Sequence, residues 1–279
     1  SKMNREVLGK VLSLSCVENY FLGYFQEKFD VRLLYAESFV PFQEVMNAFL
    51  NEQANYENYP LVRLQETSEK LGLTAHQYSE KFHYQKNKLN LIRVNREFFN
   101  RSKLLPWRAD HYIAIEKVKD GYAYWNNYPL SEGRMSENRT DEIYDGAYLI
   151  FQGVGEFNEH KYRELCALQY ARIANQSVDE ARITEEKLVN LRDALLVLKV
   201  LRKRITAWLA FEADNKRFDG DLSFQIHTEK LIQLYERILV EIQLQIVRKK
   251  SDIGKINEKL LQLCEQERLW GKAIQMRRG

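Results

Sequence analysis

Asp110-His111-Tyr112-Ile113-Ala114-Ile115-Glu116-Lys117-Val118-Lys119-Asp120-Gly121-Tyr122-Ala123-Tyr124-Trp125-Asn126-Asn127-Tyr128-Pro129 is the stretch on which the fold turns. β-Branched and aromatic residues fill both arms, and Lys119-Asp120-Gly121 between them is a hairpin-turn signal. The pattern predicts two antiparallel strands, Tyr112–Val118 and Gly121–Asn126, with His111 opening the first and Asn126 ending the second. Alternation along Tyr122, Tyr124 and Asn126 sends Asn126 to one face and Asn127 to the other. A hairpin sets strand ends side by side, so His111 and Asn126 can meet. Pairing symmetric about Asp120 would set position 111 near position 129, so that meeting needs a register offset or a bulge.

Outward from the hairpin, Val31–Phe39, Leu89–Asn95 and Asp145–Phe151 read as further strands. Upstream, Ser13 to Phe25 reads as a helix capped by Ser13 or Ser15, with Glu18 three residues after Ser15 as in a capping box. Cys16 then falls in the first turn. Phe42–Leu50 and Leu61–Leu71 read as helices, the latter closed by Gly72.

The composition changes near residue 155. All four prolines and thirteen of the sixteen tyrosines precede it; only Tyr162, Tyr170 and Tyr235 follow. Phe151-Gln152-Gly153-Val154-Gly155-Glu156 reads as a junction turn, because no further glycine or Lys-Ser/Thr completes a phosphate loop. Beyond it, one helix runs from near Asn158 to Ala174, and Ser177 restarts another. Leu188, Leu191, Leu195, Leu198, Ile205 and Leu209 form an apolar stripe that Arg202 interrupts. Leu231, Leu234, Ile238, Ile242 and Ile246 form a second stripe after a break at 218–221. Ser251-Asp252 opens a last helix carrying Ile256, Leu260, Leu263 and Trp270. Short links between four helices predict an antiparallel bundle. The fold class expected is therefore α+β: residues 1–155 as a domain with an antiparallel sheet, and residues 156–279 as an all-α helical bundle.

The 279 residues are 45% hydrophobic and 29% charged, an ordinary globular composition. With 42 basic against 39 acidic residues, the chain lacks the excess of a dedicated nucleic-acid binder. Mean hydropathy is −0.50 and no apolar run is long enough to span a bilayer, so no membrane role is expected. Ser1-Lys2-Met3-Asn4 carries no apolar signal core. Cys16, Cys166 and Cys264 are odd in number and far apart, which gives neither a disulfide framework nor a CxxC metal pair. A cytoplasmic protein is the expectation.

Cys16, His111 and Asn126 are the candidate chemical constellation. A helix N-terminus favours a thiolate, and an imidazolium beside it favours it further. A side-chain amide beyond the imidazole fixes its tautomer. Taken singly, each residue also has an ordinary reading: a small buried hydrophobe, a satisfied histidine and a turn asparagine.

Cysteine at a helix start, then a strand beginning with His, then a hairpin strand ending in Asp or Asn near a Pro resembles the layout of papain-like cysteine peptidase folds. The chain is more closely similar to the N-terminal domain of butirosin biosynthesis protein H and its relatives. In that family a strand ending in a polar turn and a Leu-Pro segment precede the His strand. Here these are Leu91-Ile92-Arg93-Val94-Asn95, then Leu104-Leu105-Pro106-Trp107, then His111-Tyr112-Ile113-Ala114-Ile115. The resemblance covers roughly residues 10–150. Two departures stand out: Asn126 or Asn127 replaces the family's acidic third residue, and no Gln precedes Cys16 to serve as an oxyanion donor.

The resemblance implies acyl transfer from a carrier-protein phosphopantetheine thioester to an amine in natural-product assembly. Cys16 would be the nucleophile, His111 the base and Asn126 the orienting group, with no cofactor. An acyl or peptidyl carrier protein would be the partner, and a homodimer is one assembly it allows. The residues alone support a Cys-His acyl enzyme and do not separate transferase, thioesterase, amidase and peptidase. A catalytically degenerate module that binds a carrier protein or peptide is the alternative, and a helical interaction protein a third reading. The weaker features are Asp214, Asp219, Asp221 and His227 near one loop, read as a solvated turn rather than a metal site, and the basic run Lys199, Arg202, Lys203, Arg204, read as a solvated face. Leu104–Asp110 is expected to be a loop bordering the cleft, with Trp107 packed there.

Overall fold

Tyr112–Val118 (β3) and Gly121–Asn127 (β4) pair antiparallel around the turn at Lys119-Asp120, with Val118 opposite Gly121. Gly121 sits at φ +133°, and a Cβ there would lie 2.2 Å from the Met135 carbonyl oxygen, so glycine is demanded by both backbone and space. The computed structural model describes residues 3–13, 15–54, 59, 72–102, 110–153, 159–216 and 222–278. They form two units: residues 1–31 with 60–158, and residues 32–59 with 159–279.

The first unit is a mixed α+β body around a six-stranded sheet. With Leu73–Tyr78 (β1), Leu89–Val94 (β2), Leu130–Met135 (β5) and Tyr144–Gly153 (β6), the strand order is β1-β6-β2-β3-β4-β5, and each neighbouring pair is antiparallel. Helix α1 (Arg5–Lys10) and helix α2 (Cys16–Phe25) pack on this sheet. Phe21 of α2 meets Phe151 edge-on at 5.1 Å, which places α2 on the face that carries Phe151. Helices α4 (Arg96–Ser102) and α5 (Glu137–Ile143) serve the opposite face, where Phe98, Phe99 and Ile143 pack with Ile92, Ile113, Ile115 and Tyr148. The sheet is thus covered on both sides, as the almost continuous burial of β2 and β3 requires.

The second unit is helical: α3 (Phe42–Leu50), α6 (Glu159–Ala174), α7 (Leu188–Asp214), α8 (Leu222–Arg248) and α9 (Ile253–Arg278). The apolar stripes read from sequence are its core: Leu191, Leu195, Leu198, Ile205, Leu231, Ile238, Ile242, Ile256, Leu260 and Leu263 are all buried. Helices α8 and α9 run antiparallel, with Phe224 stacked on Trp270 and Lys255 ion-paired to Glu241.

The structure changes several sequence expectations. Val31–Ser38 is a 3₁₀ helix, not a strand: its β-branched and aromatic content suits burial in either form. Residues 32–59 belong with the helices, so that unit takes in chain from both sides of residue 155. Ser177 starts no helix; residues 177–184 are extended or irregular, and the helix begins at Leu188. Strands β1 and β5 and helices α1, α4 and α5 add to the elements expected. The helix expected over Leu61–Leu71 and the loop around Trp107 lie outside the described residues.

Candidate functional site

Helix α2 begins at Cys16 because Ser15 caps it. The Ser15 hydroxyl accepts from the Glu18 N–H at 3.2 Å, and Ser15 is extended while Cys16 is helical. Ser13, the other cap candidate, instead accepts from Asn19 Nδ2 at 2.9 Å, and the same amide donates to the Leu8 carbonyl at 3.0 Å. These bonds fix the approach to the helix. The N–H groups of its first turn point out of its N-terminus, where the helix dipole favours negative charge.

His111 and Asn126 are in direct contact, with Nε2 and Oδ1 2.6 Å apart and both residues buried. The register offset supplies this contact. With Ala114 opposite Trp125, position 111 extrapolates to a place opposite 128, and Asn126 is its diagonal neighbour on the same face. The Asn126 Nδ2 donates to the carbonyls of Tyr128 and Pro129, at 3.3 and 3.1 Å. That assigns the amide: the oxygen faces the ring and accepts from Nε2–H. Asp110, just before His111, takes the left-handed conformation at φ +61°, which Asp tolerates, and its carboxylate pairs with Arg93 at 3.5 Å.

Tyr20 joins the helix to these strands. Its hydroxyl donates to the Tyr112 carbonyl at 2.8 Å and accepts from the Asn127 N–H at 3.0 Å. These are the residues that follow His111 and Asn126, at the point where the β3–β4 ladder opens. Cys16 lies one helical turn before Tyr20 on the same side of α2. Burial first, and then the charge of Cys16, push the Tyr20 phenol well above its ordinary pKa. Burial first also raises the Tyr112 phenol, and Cys16 is again among the charges acting on it. His111 and Asn126 alternate onto the face served by α4, where the His111 ring lies 5.3 Å from Phe99. Cys16 opens the helix on the α2 side of the sheet, and Tyr20 ties that helix to the backbone just after His111 and Asn126, whose side chains lie on the other face. Sequence reasoning missed Tyr20; its spacing from Cys16 was the available signal.

Other expectations are corrected or bounded. Arg202 and Arg204 of the basic run are buried, and Lys203 pairs with Glu236 at 3.4 Å, so no solvated basic face exists there. Asp214 is paired with Arg32 at 3.0 Å and His227 contacts Gln266; Asp219 and Asp221 lie outside the described residues. Among the described residues no cluster of His, Cys, Asp and Glu could hold a metal ion, and no helix is long and apolar enough to cross a membrane. Cys264 is buried in the helical unit and burial raises its thiol pKa, which makes it a poor nucleophile. The side chain of Cys166 lies outside the described set. In fold and site, then, the chain is an α+β protein with a buried His–Asn pair beside a helix that starts at cysteine. Compared with known proteins, it matches no family model, and no curated protein matches it in sequence.

Proposed function

We propose that the sheet unit is a papain-like, cysteine-dependent acyl-transfer domain acting on a thioester or amide, with a carrier-protein thioester of natural-product assembly as the substrate class the family resemblance favours. The observation that supports this reading is the His111–Asn126 hydrogen bond, which orients a buried imidazole on the strand whose next residue, Tyr112, is bonded to the helix that Cys16 opens. In the first half-reaction the Cys16 thiol gives its proton to His111, and sulfur attacks the carbonyl carbon. The bond to the leaving thiol or amine breaks, and the leaving group takes the proton back from His111. In the second, an amine or water gives its proton to His111 and attacks the acyl carbon, the bond to Cys16 sulfur breaks, and the sulfur takes that proton from His111 to restore the thiol. The Cys16 N–H at the helix start is one oxyanion donor.

The second reading, a catalytically degenerate module that binds a carrier protein or peptide, is favoured by one observation: α2 and the His111 ring belong to opposite faces of the sheet. Mass spectrometry after a short pulse of iodoacetamide at neutral pH, followed by an acyl thioester probe, separates the two. Acyl-transfer chemistry predicts modification at Cys16 ahead of Cys166 and Cys264, an acyl adduct on Cys16, and loss of both in His111→Ala. Equal reactivity of all three thiols, or none, removes the catalytic reading.

A further inference from the structure

On the α2 side of the sheet a cavity of about 510 Å³ opens among residues of α2, β3, β4 and the turn before β2. Its volume falls in the roughly 300–1,000 Å³ range of small-ligand sites. Two kinds of side chain line it. On that side Tyr24 and Trp125 are half-buried aromatic surfaces, and Lys28, Lys86 and Lys88 bring three ammonium groups against a single carboxylate, Glu116, while the rim residues Tyr84 and Lys117 turn their side chains to Tyr122 on the other face. Of these lysines, only Lys117 has a carboxylate partner among the described residues, Glu137 at 3.0 Å. An aromatic-walled cavity rimmed by an excess of cations is complementary to a ligand with a flat apolar ring at one end and a phosphate at the other.

The cationic rim is held in place rather than merely exposed. Asn90, fully buried at the start of β2, donates to the Gln85 and Lys88 carbonyls at 2.8 and 2.9 Å and accepts from the Gln85 N–H at 2.9 Å. These three bonds fix the turn that presents Lys86 and Lys88. Asn87 within it is left-handed at φ +62°, a conformation Asn accepts at low cost. The Tyr24 hydroxyl donates to the Asn87 carbonyl at 3.3 Å, which ties the turn to α2. One turn further on, Lys28 places its ammonium 4.7 Å from the Tyr24 ring centre. Such preorganisation lowers the entropy cost of binding an anion.

The geometry points to a binding site for a nucleoside phosphate: phosphate against Lys28, Lys86 and Lys88, and base against Tyr24 and Trp125. Neither half of this assignment rests on the chemistry proposed for Cys16. Calorimetric titration of the full chain with AMP, GMP, CMP and UMP, alongside adenosine and inorganic phosphate, tests it. At least one nucleotide is expected to bind saturably, adenosine and phosphate each roughly tenfold or more weakly, and the nucleotide's affinity is expected to fall as salt rises. Lys86→Glu and Lys28→Glu are each expected to weaken that nucleotide by roughly tenfold or more, because charge reversal sets a carboxylate against the phosphate. Both lysines are exposed, and an unchanged urea midpoint verifies that each variant folds. No saturable nucleotide binding at millimolar concentration, phosphate binding as tightly as the nucleotide, or affinity unmoved by both variants overturns the assignment.

Discussion

Asn126 uses both ends of its amide: the oxygen holds His111 and the nitrogen holds two carbonyls of the following turn. Asn126→Ala leaves the buried His111 ring without its partner and is expected to cost about 1–3 kcal/mol, the Tyr128 and Pro129 carbonyls belonging to exposed residues. Asn126→Asp keeps the acceptor but sets a carboxylate oxygen against the Tyr128 and Pro129 carbonyls, so it too is expected to be destabilising. Asn127→Ala should cost less, within about 0.5 kcal/mol, because the shorter of its two contacts with Tyr20 is the backbone N–H at 3.0 Å, which the variant keeps, and its side-chain Oδ1 lies at 3.4 Å from a hydroxyl already given to the Tyr112 carbonyl. Urea denaturation of the three variants checks the order, and an Asn127 variant as costly as Asn126→Ala would reverse the assignment. Tyr20→Phe is expected to cost about 1–3 kcal/mol near neutrality, since it takes the hydroxyl from the Tyr112 carbonyl and the Asn127 N–H. Its pH dependence carries a sign. The Tyr20 phenol ionises near pH 10 in the unfolded chain and well above that in the folded one, so the folded state holds the proton longer. That stability is present below about pH 10 and is lost as pH rises beyond it. Tyr20→Phe should therefore lose less stability than the parent between about pH 9.5 and 11.5; equal losses would mean the phenol is not buried as described.

Helix α2 shows what a short signal can carry. Ser15 followed three residues later by Glu18 indicated the cap, and the cap fixes Cys16 as the first helical residue. Ser15→Ala is expected to cost about 1 kcal/mol, since it removes an acceptor from the Glu18 N–H in a buried position. If the helix start also sets Cys16 reactivity, the alkylation rate at Cys16 should change in the same variant; stability falling with no change in rate would uncouple the two. The hairpin was equally legible, because Lys119-Asp120-Gly121 is a local signal and both arms are β-rich. The register was not: whether position 111 meets 126, 128 or 129 depends on one turn residue, and only the pairing of Ala114 with Trp125 settles it. Val31–Ser38 was misread for a related reason. Valine and tyrosine are enriched in strands because they pack, and here the segment packs as a 3₁₀ helix, Arg32 onward in the helical unit.

At the scale of the whole chain, the change in composition near residue 155 found one boundary and concealed another. Segment 32–59 is rich in aromatic residues like the sheet unit around it, so nothing local marks it as part of the helical unit. Beside the Phe39–Trp208 and Arg32–Asp214 contacts, one tie is a buried network. Arg202, the charge that interrupts the stripe of α7, holds Glu267 of α9 through two bonds of 2.9 and 3.1 Å and the Val40 carbonyl through a third of 2.9 Å. Glu267 also accepts from Tyr235 of α8 and from Gln176, and the oxygen of that glutamine takes the Phe42 N–H at 3.0 Å. A buried arginine in a stripe of leucines announces a partner but cannot name one so distant in sequence. Arg202→Met leaves Glu267 charged and buried, and Glu267→Leu does the same to Arg202, so each is expected to cost about 3–5 kcal/mol. Arg202→Met with Glu267→Leu removes both charges at once and is expected to be clearly less destabilised than the sum of the single variants. It should not return to parental stability, because the Val40 carbonyl and the Tyr235 hydroxyl would still lack their partners. Urea denaturation followed by circular dichroism closes the cycle. Additive single and double effects would show that Arg202 and Glu267 stabilise the unit independently, and the network would then not be what binds residues 40–42 to the helices.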